Sequence, residues 1–245
     1  MVETHVHFPT DINLLWDAIR VVIEQCANLS RQHDLTEWRQ ALYQLRQFKK
    51  QYRKIQKIKH STSKNEDVKA AKAQELHTEF KAYTVMAEEY LLRATATLAL
   101  IQAQIAQGLA GASDVVRLKE FMAHAQRQIE QIRRRVLAGE TIPHHEKVFS
   151  LFQPHTEWIS KGKAGVPVEL GLRTCIVEDQ YGFILHHQVM QNTTDDAIAV
   201  EIMRAAQQRF SQIKSISMDK GFHSPSNQTE LKAMIPTVVM PKKGK

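Results

Sequence analysis

The clearest chemical signal in the chain is one aspartate at the end of a strand-like run. Ile213 to Met218 reads as a short strand, Asp219 ends it, Lys220-Gly221-Phe222 follow at once, and Ser224-Pro225 opens a helix. In a strand of period two, Ile216 and Met218 face one side while Ser217 and Asp219 face the other. A carboxylate at the carboxyl end of a sheet strand, beside a glycine that permits a sharp turn, can aim a metal ligand into a crevice. The plainer reading is a turn or cap residue, and one carboxylate does not make a site.

Cations form the second group with a chemical meaning. Between Arg39 and Lys59 there are eight basic residues and no acid. Arg39, Arg46, Lys50, Arg53 and Lys57 recur at helical spacing beside a Trp38/Leu45/Tyr52 stripe. Such a ridge can track a phosphate backbone, adding salt sensitivity rather than sequence readout, or can simply be a solvated face. Arg133-Arg134-Arg135 is a second patch of the same kind, and Lys161, Lys163, Lys220, Lys242 and Lys243 fall in loops near strand ends, where they would position DNA or serve solubility. Asp195 and Asp196 open a helix, where acids suit the amino-terminal dipole better than they suit a metal. His186 and His187 are strand neighbours and so face opposite ways, and His144-His145 follows Pro143 in a linker; both pairs read as surface histidines.

These residues need a scaffold, and composition bounds it. With 245 residues and 43% hydrophobic content, the chain can bury one large or two modest cores. Thirty-three basic against twenty-six acidic side chains give +7, which favours a polyanionic partner such as nucleic acid. Cys26 and Cys175 are isolated, which argues against a disulfide framework or a structural zinc and suits a reducing compartment. No apolar run approaches a membrane span, and the opening Val2-Glu3-Thr4-His5 lacks the order of a signal peptide, so the reading is cytoplasmic with no membrane partner.

Proline and glycine divide the chain. No proline lies between Pro9 and Pro143 and no glycine precedes Gly108, so this stretch reads as helical. Four helices follow from apolar spacing. The first carries Ile12, Leu15, Ile19, Val22, Cys26 and Leu29 behind a Thr10 or Asp11 cap; the second carries Trp38, Leu42, Leu45, Phe48, Tyr52 and Ile55, with Asp34 and Glu37 spaced as a capping box. The third runs from about Glu66 to Gln107 on a stripe from Leu76 through Phe80, Tyr83, Ala87, Tyr90, Ala94, Leu98 and Ile101 to Ile105, a repeat that also suits self-association. Gly108 and Gly111 turn the chain, and Ser113 caps a fourth helix with Leu118, Met122, Ala125, Ile129, Ile132 and Val136 inward, ending at Gly139. A bundle or a long antiparallel hairpin would satisfy these stripes. Beyond it, Val168 to Ile176 alternates as a strand, Asp179 to Gly182 turns, and Phe183 to Met190 returns. A helix capped at Thr194 or Asp195, the Asp219 strand, a helix from Ser224-Pro225 and a strand over Thr237 to Met240 complete the order, the helical crossovers making the later strands parallel.

Taken together, Lys161-Gly162-Lys163-Ala164-Gly165, the Val168 strand, the Tyr181-Gly182 hairpin, Thr194-Asp195, Asp219-Lys220-Gly221-Phe222-His223-Ser224 and Val238 to Lys243 resemble the catalytic core of DDE insertion-sequence transposases. Val2 to Asp11 is similar to the segment that follows the first catalytic Asp in an ISNCY-like branch of these enzymes. The resemblance implies an α+β fold: a ribonuclease-H-like mixed sheet with flanking helices, interrupted by a long α-helical insertion. On that reading residues 1–9 hold the first strand, 10–142 the insertion and 143–245 the rest of the core. It further implies metal-dependent cleavage and transfer of DNA strands, with two Asp and one Glu holding a pair of Mg2+ or Mn2+ ions about 4 Å apart. Asp219 matches the second Asp, as catalytic residue and metal ligand. The first Asp would fall ahead of Met1 and the Glu beyond Lys245, and Glu3 would face the wrong way to substitute. The expectation is therefore a fragment lacking both ends of the catalytic core, inactive and without tightly bound metal by itself. Its partners would be element ends and target DNA, with a homo-oligomer through the insertion. The alternative is a non-catalytic DNA-binding or transposase-inhibiting helical protein.

Overall fold

A computed structural model of the chain describes residues 8–107, 115–160 and 167–242. The strand expected over Val2 to His7, the Gly108/Gly111 turn and the Ser113 cap lie outside them. The chain divides near Pro154 into two compact units.

The first unit is a bundle of four helices: α1 (Asp11–Gln32), α2 (Ala41–His60), α3 (Glu66–Ala106) and α4 (Val116–Ile132). Thr10 caps α1 by accepting from Asn13 N at 3.3 Å, and Asn65 caps α3 by accepting from Asp67 N at 2.8 Å. Each satisfies a backbone donor that the first turn of a helix leaves without a partner. α1 packs on all three other helices and α2 on α3. Ile12, Leu15, Ile19, Val22, Cys26 and Leu29 of α1 are all buried, as are Phe80, Tyr83, Ala87, Tyr90, Ala94 and Ile101 of α3. Phe48 of α2 stacks on Tyr83 at 4.5 Å, and the buried Tyr83 hydroxyl donates to Ile12 O at 3.1 Å. α4 buries Leu118, Ala125, Ile129 and Ile132, then widens into a π turn over Arg133–Leu137.

The entry to α2 differs from expectation. No capping box forms at Asp34/Glu37: the helix begins at Ala41, its cap position is Gln40, and Asp34 and Trp38 both have positive φ, 54° and 66°. Trp38 explains this. Its indole N–H donates to Thr97 Oγ1 at 2.8 Å, the Arg93 guanidinium lies 4.4 Å over its ring, and its side chain is buried. That tertiary anchor pulls the chain out of helical geometry and overrides the local cap signal. One turn later Leu42, expected inward, is 72% exposed.

The second unit is a small α+β assembly with β1 (Glu157–Ser160), β2 (Val168–Gly171), β3 (Arg173–Glu178), β4 (Ile184–Met190), α5 (Asp195–Arg209), β5 (Ser215–Ser217), α6 (Pro225–Met234) and β6 (Thr237–Val239). Among the described residues the strands pair two by two: β1 with β2 and β3 with β4 antiparallel, β5 with β6 parallel. One continuous mixed sheet is therefore not what these residues form. The expected Val168 to Ile176 strand is two strands, because Gly171 sits at φ 150°, a conformation that a side chain disfavours, and hands the chain from one ladder to the next. The hairpin closes as read, with Asp179 Oδ1 accepting from Tyr181 N and Phe183 N at 2.9 Å. α5 lays Ile198, Ile202, Met203 and Ala206 over Cys175 and Met190, with Leu231, Ile235 and Met240 completing the core. The β5–α6–β6 crossover is parallel as anticipated, and Met218 N to Val239 O at 2.9 Å continues its ladder to the residue before Asp219.

Candidate nucleic-acid interface

α2 carries its apolar face inward through Phe48, Ile55 and Ile58 and has no acid from end to end. Its outer face is therefore cationic by default. Arg46, Lys50, Arg53 and Lys57, each three or four residues from the next, are all exposed along it; Arg39 is exposed in the turn before the helix. None of the five forms an ion pair with a described residue. Tyr43 falls on the same stripe, between Arg39 and Arg46, and is 58% exposed. Sequence reading missed it, although the spacing 39, 43, 46, 50, 53, 57 contains it.

The stripe runs into a cleft. Where α2 ends and α3 begins, a cavity of about 750 Å³ is lined by five lysines (Lys54, Lys57, Lys59, Lys69 and Lys72), a single acid, Glu75, the connecting Ser61, Thr62 and Ser63, and an apolar floor of Ile58, Val68 and Ala71. Three of these lysines have structural partners. Lys54 Nζ lies 2.6 Å from Glu79 Oε1, Lys69 Nζ 2.7 Å from Glu66 Oε1, and Lys72 donates to the carbonyls of Lys59 (3.2 Å) and Ser61, tying down the connection. Lys57 has no such pair among the described residues. Burial, then the Arg135 guanidinium, pushes the Lys59 ammonium below the ordinary lysine range, Asp11 opposing. The cleft is thus short of negative charge. Its signal was present in the sequence as Lys57 and Lys59 ending one helix and Lys69 and Lys72 opening the next across a short connection.

The other basic patch is already neutralised. Arg133 meets Glu88 at 2.6 Å, Arg134 meets Glu140 at 2.9 Å and Glu146 at 2.6 Å, and Arg135 pairs with Asp11. Arg133-Arg134-Arg135 is an internal clamp rather than a free cationic surface.

In the second unit Asp219 is exposed just past β5 and stands at the head of a single 3-10 turn, Lys220–Phe222. Lys220 and Lys242 are exposed; Lys161, Lys163 and Lys243 lie outside the described residues. Gly221 has a definite reason to be glycine: a Cβ there would come within 2.6 Å of Asp195 Oδ2. Asp195 and Asp196 occupy the first turn of α5 behind Thr194, a placement that suits the helix dipole. Burial first, and the Asp195 carboxylate second, raise the Cys175 thiol above its ordinary value. His186 pairs in register with Val177 and His187 with Ile176, on successive positions of β4, and His144–Glu146 form an isolated 3-10 turn after Pro143.

A metal pair needs several oxygen ligands around one point. Among the described residues no group of three or more His, Cys, Asp or Glu side chains converges, so these residues do not fit a metal pair around Asp219. No helix of the described chain is long and apolar enough to cross a membrane. Comparison of the chain with family models, curated protein sequences and solved structures found no match.

Proposed function

We propose that this chain belongs to the machinery of DNA transposition, as a DDE-transposase-like protein whose own residues bind DNA through α2. The observation that carries the reading is the acid-free stripe of Arg46, Lys50, Arg53 and Lys57, exposed and without ion pairs among the described residues. Evenly spaced cations of this kind neutralise consecutive phosphates, so affinity comes from released counterions and falls steeply with salt. The parallel β5–α6–β6 crossover with Asp219 exposed beyond the carboxyl end of β5 supports the finer reading, a ribonuclease-H-like core in which Asp219 is one catalytic carboxylate. Strand cleavage would require further carboxylates beside it. The alternative is a non-catalytic DNA-binding or transposase-inhibiting role, in which the α2 cations act without Asp219.

Fluorescence anisotropy on a labelled DNA duplex, combined with nicking of supercoiled plasmid in Mn2+, tests these arms together. Duplex binding should weaken at least tenfold in the triple variant Arg46→Glu, Lys50→Glu, Arg53→Glu, with a salt slope shallower by about 3. Asp219→Asn should bind as the parent does, and neither protein should nick. A triple variant that binds like the parent would overturn the α2 assignment. Nicking by the parent that disappears in Asp219→Asn would restore catalysis to this chain.

A further inference from the structure

Resting on the nucleic-acid reading above, we infer that the α2 surface is built for an unpaired strand, with Tyr43 stacking a base and the lysine cleft at the far end of the helix holding backbone phosphates. The geometry is one line. Tyr43, Arg46, Lys50, Arg53 and Lys57 follow each other at steps of three and four on the exposed face, and Lys57 also lines the cleft. At 1.5 Å per residue the line from Tyr43 to Lys57 is about 21 Å long, room for a run of a few nucleotides.

Two features point to a single strand rather than a duplex. Tyr43 offers an aromatic face to solvent, 58% exposed, at the head of a cationic track; bases inside a duplex are already stacked on their neighbours and cannot use it, whereas an unpaired base can. The cleft is concave and about 750 Å³, a size that admits a phosphate backbone with its sugars; the Thr62 and Ser63 hydroxyls can donate beside Lys57 and Lys59, while Ser61 already donates to Ile58 O at 2.7 Å. Aromatic platform and positively charged groove are the parts that proteins binding single strands combine.

The test compares three probes of equal length by anisotropy: oligo-dT of twenty nucleotides, a duplex, and an abasic strand that keeps the phosphates but has no rings to stack. Oligo-dT should bind more tightly than either. Tyr43→Ala should weaken oligo-dT binding by roughly tenfold, Tyr43→Phe by less than about twofold, and neither should alter the abasic strand. The pair Lys57→Gln, Lys59→Gln should lower affinity and salt slope for oligo-dT and the abasic strand alike. Equal or tighter binding of the duplex, or Tyr43→Ala indistinguishable from the parent on oligo-dT, overturns the inference. Either result leaves the wider reading standing so long as the charge-reversed triple variant still loses duplex affinity; if that variant binds normally, the wider reading falls instead.

Discussion

Glu79 shows how much a single side chain in this protein depends on partners far along the chain. Its carboxylate accepts from Lys54 Nζ at 2.6 Å and from Gln51 Nε2 at 2.7 Å, and these hydrogen bonds hold its pKa below the ordinary 4.5 although burial pushes the other way. A depressed carboxylate contributes stability that is complete above its unfolded pKa and is lost as pH falls through the folded one. Glu79→Gln should therefore cost about 1 kcal/mol at pH 7 and flatten the acid limb of a urea-midpoint profile below pH 4.5. An unchanged acid limb would show that another group governs it. The same dependence separates what was legible at residue scale from what was not. Asp219 could be read at the end of its strand because strand, glycine and helix cap are all local signals. The pairing of Arg133, Arg134 and Arg135 with Glu88, Glu140, Glu146 and Asp11 could not, since two of those acids lie on other helices. Cationic runs look alike in sequence, and only the fold tells a clamp from a free surface.

Helices were the most legible elements because each signal repeats along its length. α3 spans Glu66–Ala106, against an expected end at Gln107, and its whole predicted stripe is at least partly buried. Strands of three or four residues repeat too little, so β1 escaped notice and the β2/β3 break at Gly171 was read through. The error at the head of α2 has one identifiable cause, the Trp38 anchor, and it can be measured. Trp38→Phe keeps most of the ring but removes the N–H bond to Thr97, and should destabilise the bundle by about 1–2 kcal/mol. Thr97→Val removes the other partner, and a double-mutant cycle between them should return a coupling near 1 kcal/mol. Zero coupling would mean that packing, not this hydrogen bond, holds the turn open. The exposed cationic stripe depends on that turn, because it fixes where α2 begins and so which way Tyr43 and Arg46 face.

At the scale of the whole molecule, the chain divides into compact units near Pro154, whereas the uneven placement of proline and glycine suggested an end to the helical region at residue 142. Local composition could not show why: Leu151 is buried in the helical core, Val148 packs against it, and Gln131 Nε2 donates to Glu146 O at 2.7 Å, so this linker belongs to the bundle. The two cores differ greatly in extent, four long helices in one and α5 with α6 over short ladders in the other, and burial of apolar surface scales the same way. Each core holds one buried free cysteine, Cys26 in the bundle and Cys175 beneath α5. Burial pushes the Cys26 thiol up to about 12 and also raises Cys175, so in the native state little reactive thiolate is exposed in either unit. Alkylation at pH 8 thus reports opening of the unit that holds each thiol, and the smaller core should open first. Pulse labelling across a urea series, read by peptide mass spectrometry, should find Cys175 modified at lower urea than Cys26. Coincident midpoints would mean that the two cores melt as one cooperative unit, and Cys26 labelling first would reverse the order of stability argued from their packing.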